Sequence, residues 1–185
     1  MPAASYQVMS PSSINFTGTS ASIGGGGSVT FSAVSSLSLN NIFNSTYTNY
    51  KIIIRNTSSN AGTVNLLLRL RKNGVDETTD AGPQLYYYET VQAYGTSIYN
   101  AYLAAQGFPI GFTTNNTYEG RVIDMYEPFL EKQTTYRCIS SEGYQTNFLT
   151  SHNGAHVIPA SYDGFTLYPF SGTITGLISV YGVTE

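Results

Sequence analysis

The chain has no tryptophan, one cysteine and two histidines among 185 residues, and only 10% of its residues are Asp, Glu, Lys or Arg. A soluble domain averages roughly 25% charged residues, so charge organises little of this molecule. Disordered chains are highly charged and poor in aromatics; 16 tyrosines and 9 phenylalanines put this one at the opposite pole. Eight Lys and Arg against eleven acids leave a net charge of −3, which removes the basic field that a nucleic-acid binder needs. No apolar run reaches about 18 residues, the length that marks a membrane-spanning helix. The first side-chain charge is Lys51, and Pro2 and Pro11 interrupt the early apolar residues, so the charged start of a secretory signal is missing. A lone Cys138 excludes a disulfide framework; in the string TTYRCIS it reads as a buried small hydrophobe in a strand.

What is present is alternation. A chain of this length buries roughly 70% of its unfolded surface, enough for one core and one domain. Tyr50, Ile52 and Ile54 alternate with Lys51, Ile53 and Arg55, and Leu66, Leu68 and Leu70 alternate with Leu67, Arg69 and Arg71. Val122, Asp124 and Tyr126 oppose Arg121, Ile123 and Met125, and near the C-terminus Ile174, Gly176, Ile178 and Val180 oppose Thr173, Thr175, Leu177 and Ser179. Period two is the signature of half-buried strands. Further strands are expected at 28–33, 84–91, 96–103, 134–140, 145–150 and 163–168, with a turn at Asn73-Gly74 and one turn of helix over Leu39–Phe43 capped by Ser38. About ten short strands with Gly, Asn and Pro turns predict an all-β, two-sheet antiparallel β-sandwich, jelly-roll-like. Residues 1–24 lack a sustained period and read as an N-terminal arm, leaving 25–185 as the single sandwich domain. The run Gly24–Gly27 lacks the Lys-Ser/Thr of a phosphate loop and reads as a joint or tight turn.

Few constellations carry chemistry. His152 and His156 have the spacing of two helical ligands, but Asn153-Gly154 between them predicts a hairpin loop. A two-residue loop sends the imidazoles to opposite faces, and the expectation is exposed turn histidines and no metal. Asp76, Glu77 and Asp80 lack calcium-loop spacing. Glu119, Asp124, Glu127 and Glu131 spread over a strand and its exit, with no defined carboxylate pair, and no Gly-x-Ser-x-Gly elbow occurs. No enzyme activity and no cofactor are expected. Sequons at Asn15, Asn44, Asn56 and Asn115 read as by-products of polar turns. The most unusual feature is Tyr86-Tyr87-Tyr88 followed by Tyr94, Tyr99 and Tyr102. In a strand Tyr86 and Tyr88 share one face and Tyr87 takes the other. Such tyrosines serve either as a platform for sugar rings or a subunit contact, or as core and cross-strand pairs. In the uncharged arm, Tyr6, Val8, Ile14 and Phe16 are the apolar groups available to bury on a partner.

The stretches SVTFSAVSSLSLNNIFNSTYTNYKIIIRN, LLLRLRKNG, YYYETVQAYGTS and FSGTITGLISVYG together resemble a domain that recurs in tailed-bacteriophage virion proteins, especially those of cyanophages. Phe43, Tyr47 and Tyr50 match its aromatic lead into a strand, Leu68–Arg71 with Gly74 its strand-turn signature, and 172–182 its closing strand. The resemblance spans about residues 28–182. It implies a virion structural role assembled in the host cytoplasm: a capsid cement or decoration protein that binds the major capsid protein or other virion proteins. The alternative is a tail-associated adhesin that grips host polysaccharide. A homo-oligomer, by family analogy a trimer, is expected, with no nucleic acid and no membrane. Contacts made by Tyr, Thr, Asn and apolar patches are expected to depend little on salt.

Overall fold

The computed structural model describes residues 5–59, 62–78, 86–94, 97–105, 107–115, 118–142 and 148–184, side chains at 92–94, 97–105, 142 and 148 excepted. Among these residues the alternating pattern becomes fourteen strands and no helix. They are β1 (Ser5–Met9), β2 (Ser13–Ile23), β3 (Val29–Asn40), β4 (Asn49–Ser58), β5 (Val64–Lys72), β6 (Val75–Asp76) and β7 (Tyr86–Tyr94). The second half holds β8 (Ser97–Ala105), β9 (Phe108–Thr113), β10 (Glu119–Tyr126), β11 (Lys132–Glu142), β12 (Phe148–Ala160), β13 (Gly164–Pro169) and β14 (Ile174–Thr184). All pair antiparallel in one sheet of order β6-β5-β13-β3-β14-β4-β10-β11-β12-β7-β8, with β1 on β14, β2 on β3 and β9 on β5.

The sheet curls, and side chains from its two ends meet inside. The Tyr86 hydroxyl of β7 accepts a hydrogen bond from the Leu70 N–H of β5 at 3.0 Å. Tyr136 of β11 donates to the Pro109 carbonyl of β9 at 2.9 Å, and its ring lies 4.1 Å from that of Phe108. The predicted inward sets fill the space between: Tyr50, Ile52, Ile54, Leu66, Leu68, Leu70, Ile123, Met125, Ile174, Ile178 and Val180 are all buried. Each such aliphatic side chain contributes roughly 1.5–3 kcal/mol relative to exposure. Cys138 is buried among them as expected.

Local chemistry sets the turns. Asn73 and Gly74 take φ of 52° and 77°, both in the left-handed region, and close the β5–β6 hairpin; two positive φ values are what a type I′ turn demands. The glycine run closes the β2–β3 hairpin, Gly27 N–H donating to the Gly24 carbonyl at 2.9 Å. The helical turn expected over Leu39–Phe43 is absent. β3 continues through Asn40, Asn41 turns the chain at φ 51°, and the N–H groups of Ile42 and Phe43 both donate to the Asp163 carbonyl. Burial of Ile42 and Phe43 outweighs the local capping signal of Ser38. The segment read as an arm runs as β1 and β2. These strands are laid on β14 and β3, with Met9 buried and Ile14 packed against the core.

Candidate functional site

Antiparallel register lines up outward side chains into rows that cross the strands. The central row of the face formed by β14, β4, β10, β11, β12 and β7 reads Ser179, Ile53, Val122, Ile139, Ser151, Val91. Its aliphatic members are exposed: Ile53 by 41%, Val122 by 40% and Ile139 by 45%, with Leu149 in the adjacent row at 56%. Three neighbouring strands therefore carry a ridge of branched side chains in water, where period two alone would place polar groups.

Charge borders the ridge on one side. The next row reads Tyr181, Lys51, Asp124, Arg137, Asn153, Glu89. The Asp124 carboxylate accepts from the Lys51 ammonium and from the Arg137 guanidinium, the latter at 2.6 Å. Partial burial alone would raise Asp124, but these two bonds outweigh it and hold its carboxyl below the ordinary carboxylate range. Tyr6, an exposed side chain of β1, reaches the same border, its ring edge-on to Tyr181 at 6.4 Å and 6.0 Å from the Lys51 ammonium. On the other side the row is Leu177, Arg55, Gly120, Ser141, Leu149. The Arg55 guanidinium stacks over the Tyr118 ring at 4.5 Å. Opposite it Gly120 offers no side chain, and a Cβ there would meet nothing within 4 Å. The result is a shallow groove of about 450 Å³ lined by Ile53, Arg55, Tyr118, Val122, Ile139 and Leu149, among others.

No protein-family model and no curated protein matches the chain. Similar solved structures include domain 4 of AbnA, a GH43 extracellular arabinanase from Geobacillus stearothermophilus, in complex with arabinotriose. Identity is 11% and the TM-score 0.40, over 93% of this chain and 84% of that one. Another is the binding domain of botulinum neurotoxin serotype G, with 10% identity and a TM-score of 0.28, over 97% of this chain and 43% of that one. Likenesses this distant carry no argument about what the chain binds.

The tyrosine run divides as its spacing predicts, Tyr86 and Tyr88 inward and Tyr87 outward. Tyr86 is fully buried, edge-on to Phe108 at 4.8 Å and to His156 at 4.5 Å; burial pushes its phenol far up. Tyr88 faces inward beside it, half-buried and also raised by burial, whereas Tyr87 lies opposite Ala155 on the outward face. Tyr94 lies in β7, and Tyr99 and Tyr102 lie in β8 opposite Gln92 and Glu89; their side chains fall outside the described residues. Val8 and Phe16 are exposed on β1 and β2.

The histidines correct the sequence reading most clearly. Asn153-Gly154 makes no loop; it lies inside β12, so His152 and His156 point to the same, inner face and are both buried. Glycine is needed at 154 because Tyr136 crosses there: a Cβ would sit 2.2 Å from the Tyr87 carbonyl oxygen and 2.7 Å from the Tyr136 ring. His152 Nδ1 pairs with the Thr90 hydroxyl at 2.8 Å and His156 Nδ1 with the Tyr162 hydroxyl at 3.1 Å. Burial, with Arg121 adding to it, pushes His152 down to about 4. Among the described residues no three His, Cys, Asp or Glu side chains are grouped to hold a metal.

Of the carboxylates singled out from sequence, Asp76, Glu119, Asp124 and Glu127 meet Lys or Arg. Glu119 meets the fully buried Arg121 at 3.2 Å, Glu127 meets Lys132 at 3.7 Å, and Asp76 meets Arg71 and Arg69. Asp80 lies outside the described residues, and Glu131 is exposed. Arg121 also donates to the Ile110 carbonyl at 2.8 Å and to the Asn56 side chain, so the Asn56 sequon is buried in a strand rather than displayed in a turn. The residues that sequence reasoning passed over are Ile53, Val122, Ile139, Leu149, Arg55 and Tyr118. Their signal was present: adjacent strands with branched aliphatics at outward positions.

Proposed function

We propose that the chain is a bacteriophage virion structural protein, a capsid cement or decoration protein that binds the assembled shell and performs no catalysis. The single observation that supports this best is the exposed aliphatic ridge. Contiguous apolar surface on a folded domain marks a docking site, and Ile, Val and Leu gain by packing against another protein's side chains. The curled sheet serves as one half facing the other, a jelly-roll-like sandwich. Its partners are the major capsid protein or other virion proteins, with further copies of the chain as a homo-oligomer, and it resides in the virion. A ligand bound only to the assembled shell stabilises it by mass action, and many weak copies act together.

The rival is a tail-associated adhesin for host polysaccharide, favoured by the outward Tyr118, Tyr126 and Tyr87. Sugar rings stack on aromatic faces, and here the aromatics flank the patch while its centre is aliphatic. Copy number in purified particles separates the two. Shell decoration requires hundreds of copies per particle, and particles without the protein then burst at a lower temperature. A few to tens of copies, with normal particle stability and failed adsorption to host cells, would transfer the proposal to the adhesin.

A further inference from the structure

The partner at this face can be specified by its chemistry. Of the chain's eight Lys and Arg, Lys51, Arg55 and Arg137 all point outward around the ridge, and Asp124 is the carboxylate held between two of them. The border row balances, Lys51 and Arg137 against Asp124 and Glu89, which leaves Arg55 as the uncompensated cation beside the ridge. Arg55 is the one poised for a ligand. It is exposed, its guanidinium lies over the Tyr118 ring, and no ion pair engages it among the described residues. Stacking on a ring fixes a guanidinium while leaving its N–H fork free for a carboxylate. Gly120 keeps the space beside it open, and Ile53, Val122 and Ile139 floor that space.

A second copy docked face to face over the groove would set Arg55 against its own image. An acidic partner meets no such repulsion, and complementary charge steers encounter and fixes register. We propose that the groove between Arg55 and Leu149 binds an extended acidic–aliphatic segment of another protein, its carboxylate on the Arg55 fork and its apolar side chain over Gly120 between Val122 and Ile139. This rests on the protein-docking reading above and sharpens it. It also revises the expectation of weak salt dependence at this one contact, where Arg55 supplies the charge.

The test titrates the full chain with a fluorescent peptide of alternating Glu and Val, and with its Gln-for-Glu counterpart. The acidic peptide should bind roughly tenfold more tightly than the neutral one. That preference should shrink between about 50 mM and about 500 mM salt, as charges are screened. Arg55→Gln should erase the preference and Arg55→Lys restore part of it. Gly120→Val, which adds a strand-favouring side chain in open space, should weaken both peptides with the thermal midpoint unchanged. Equal binding of the two peptides, or no effect of Gly120→Val, would overturn the proposal even if the protein still decorates particles. Tighter binding of an oligogalacturonate than of the acidic peptide, or self-association abolished by Gly120→Val, would overturn it in favour of an acidic glycan or a second copy.

Discussion

His152 shows how one buried side chain sets a property of the whole chain. Its imidazole stays neutral because burial excludes the charged form and Arg121 adds to the cost. The folded value is depressed from 6.5 to about 4, so the unfolded chain takes up the proton first. Above about pH 6.5 the group is indifferent to folding. Between 6.5 and about 4 stability falls at about 1.4 kcal/mol per pH unit, to a loss of about 3 kcal/mol that persists below. His156 shifts in the same direction. Asp124, held below its ordinary range by Lys51 and Arg137, adds a further loss as pH falls through its folded value. The expected outcome is therefore a difference: in urea melts at pH 7 and pH 4, His152→Phe should show about 3 kcal/mol less acid destabilisation than the parent. Equal pH slopes would contradict the burial account. Gly154 gives a second residue-scale expectation. Gly154→Ala drives a Cβ into a backbone oxygen that cannot move aside and should cost about 1–3 kcal/mol, read as a lower urea midpoint at constant m. Gly120→Ala, in open space, should be neutral, and equal effects at the two glycines would refute the packing argument.

At the scale of strands, β2 is a long exposed edge among the described residues. Among the described residues it pairs with β3 alone, carries no charge over its eleven residues, and has a register shift at Thr17/Gly18. Proteins commonly guard such edges with Lys or Pro, and an unguarded one invites pairing with another copy. Thr19→Lys should shift the chain toward monomer in light scattering at micromolar concentration. A parent protein already monomeric there would contradict the expected homo-oligomer. Removing residues 1–24 has a different expected outcome from that of detaching an arm: β3 loses β2, β14 loses β1, and the melting temperature falls along with any loss of particle binding. The strands themselves were legible because Leu66, Leu68 and Leu70 or Ile52 and Ile54 alternate cleanly, and Asn73-Gly74 was legible because few other dipeptides tolerate two left-handed residues. Asn153-Gly154 misled for the same reason. The dipeptide signals a turn, but here glycine answers to the Tyr136 ring on β11, a contact that only the register of separate strands creates. Ser38 likewise looked like a cap until β3 and the Asp163 carbonyl claimed the segment around it.

For the molecule as a whole, the interior was more legible than the working surface. Inward positions announce themselves by period, whereas an outward Ile53, Val122 or Ile139 looks like any strand-forming residue until register sets the three side by side. Composition hid the charge in the same way, since a sparse average conceals one Arg55 held over Tyr118 beside the ridge. The central proposal is that this ridge docks the protein onto a virion particle. The direct measurement is co-sedimentation of the full chain with particles stripped of it, comparing the parent with the double variant Val122→Ser, Ile139→Ser. Both side chains are exposed, so the fold and thermal midpoint should be retained. Apparent affinity for the particle should fall by at least roughly tenfold, the scale of losing two buried branched side chains at a contact. Unchanged co-sedimentation of a folded double variant would contradict the account.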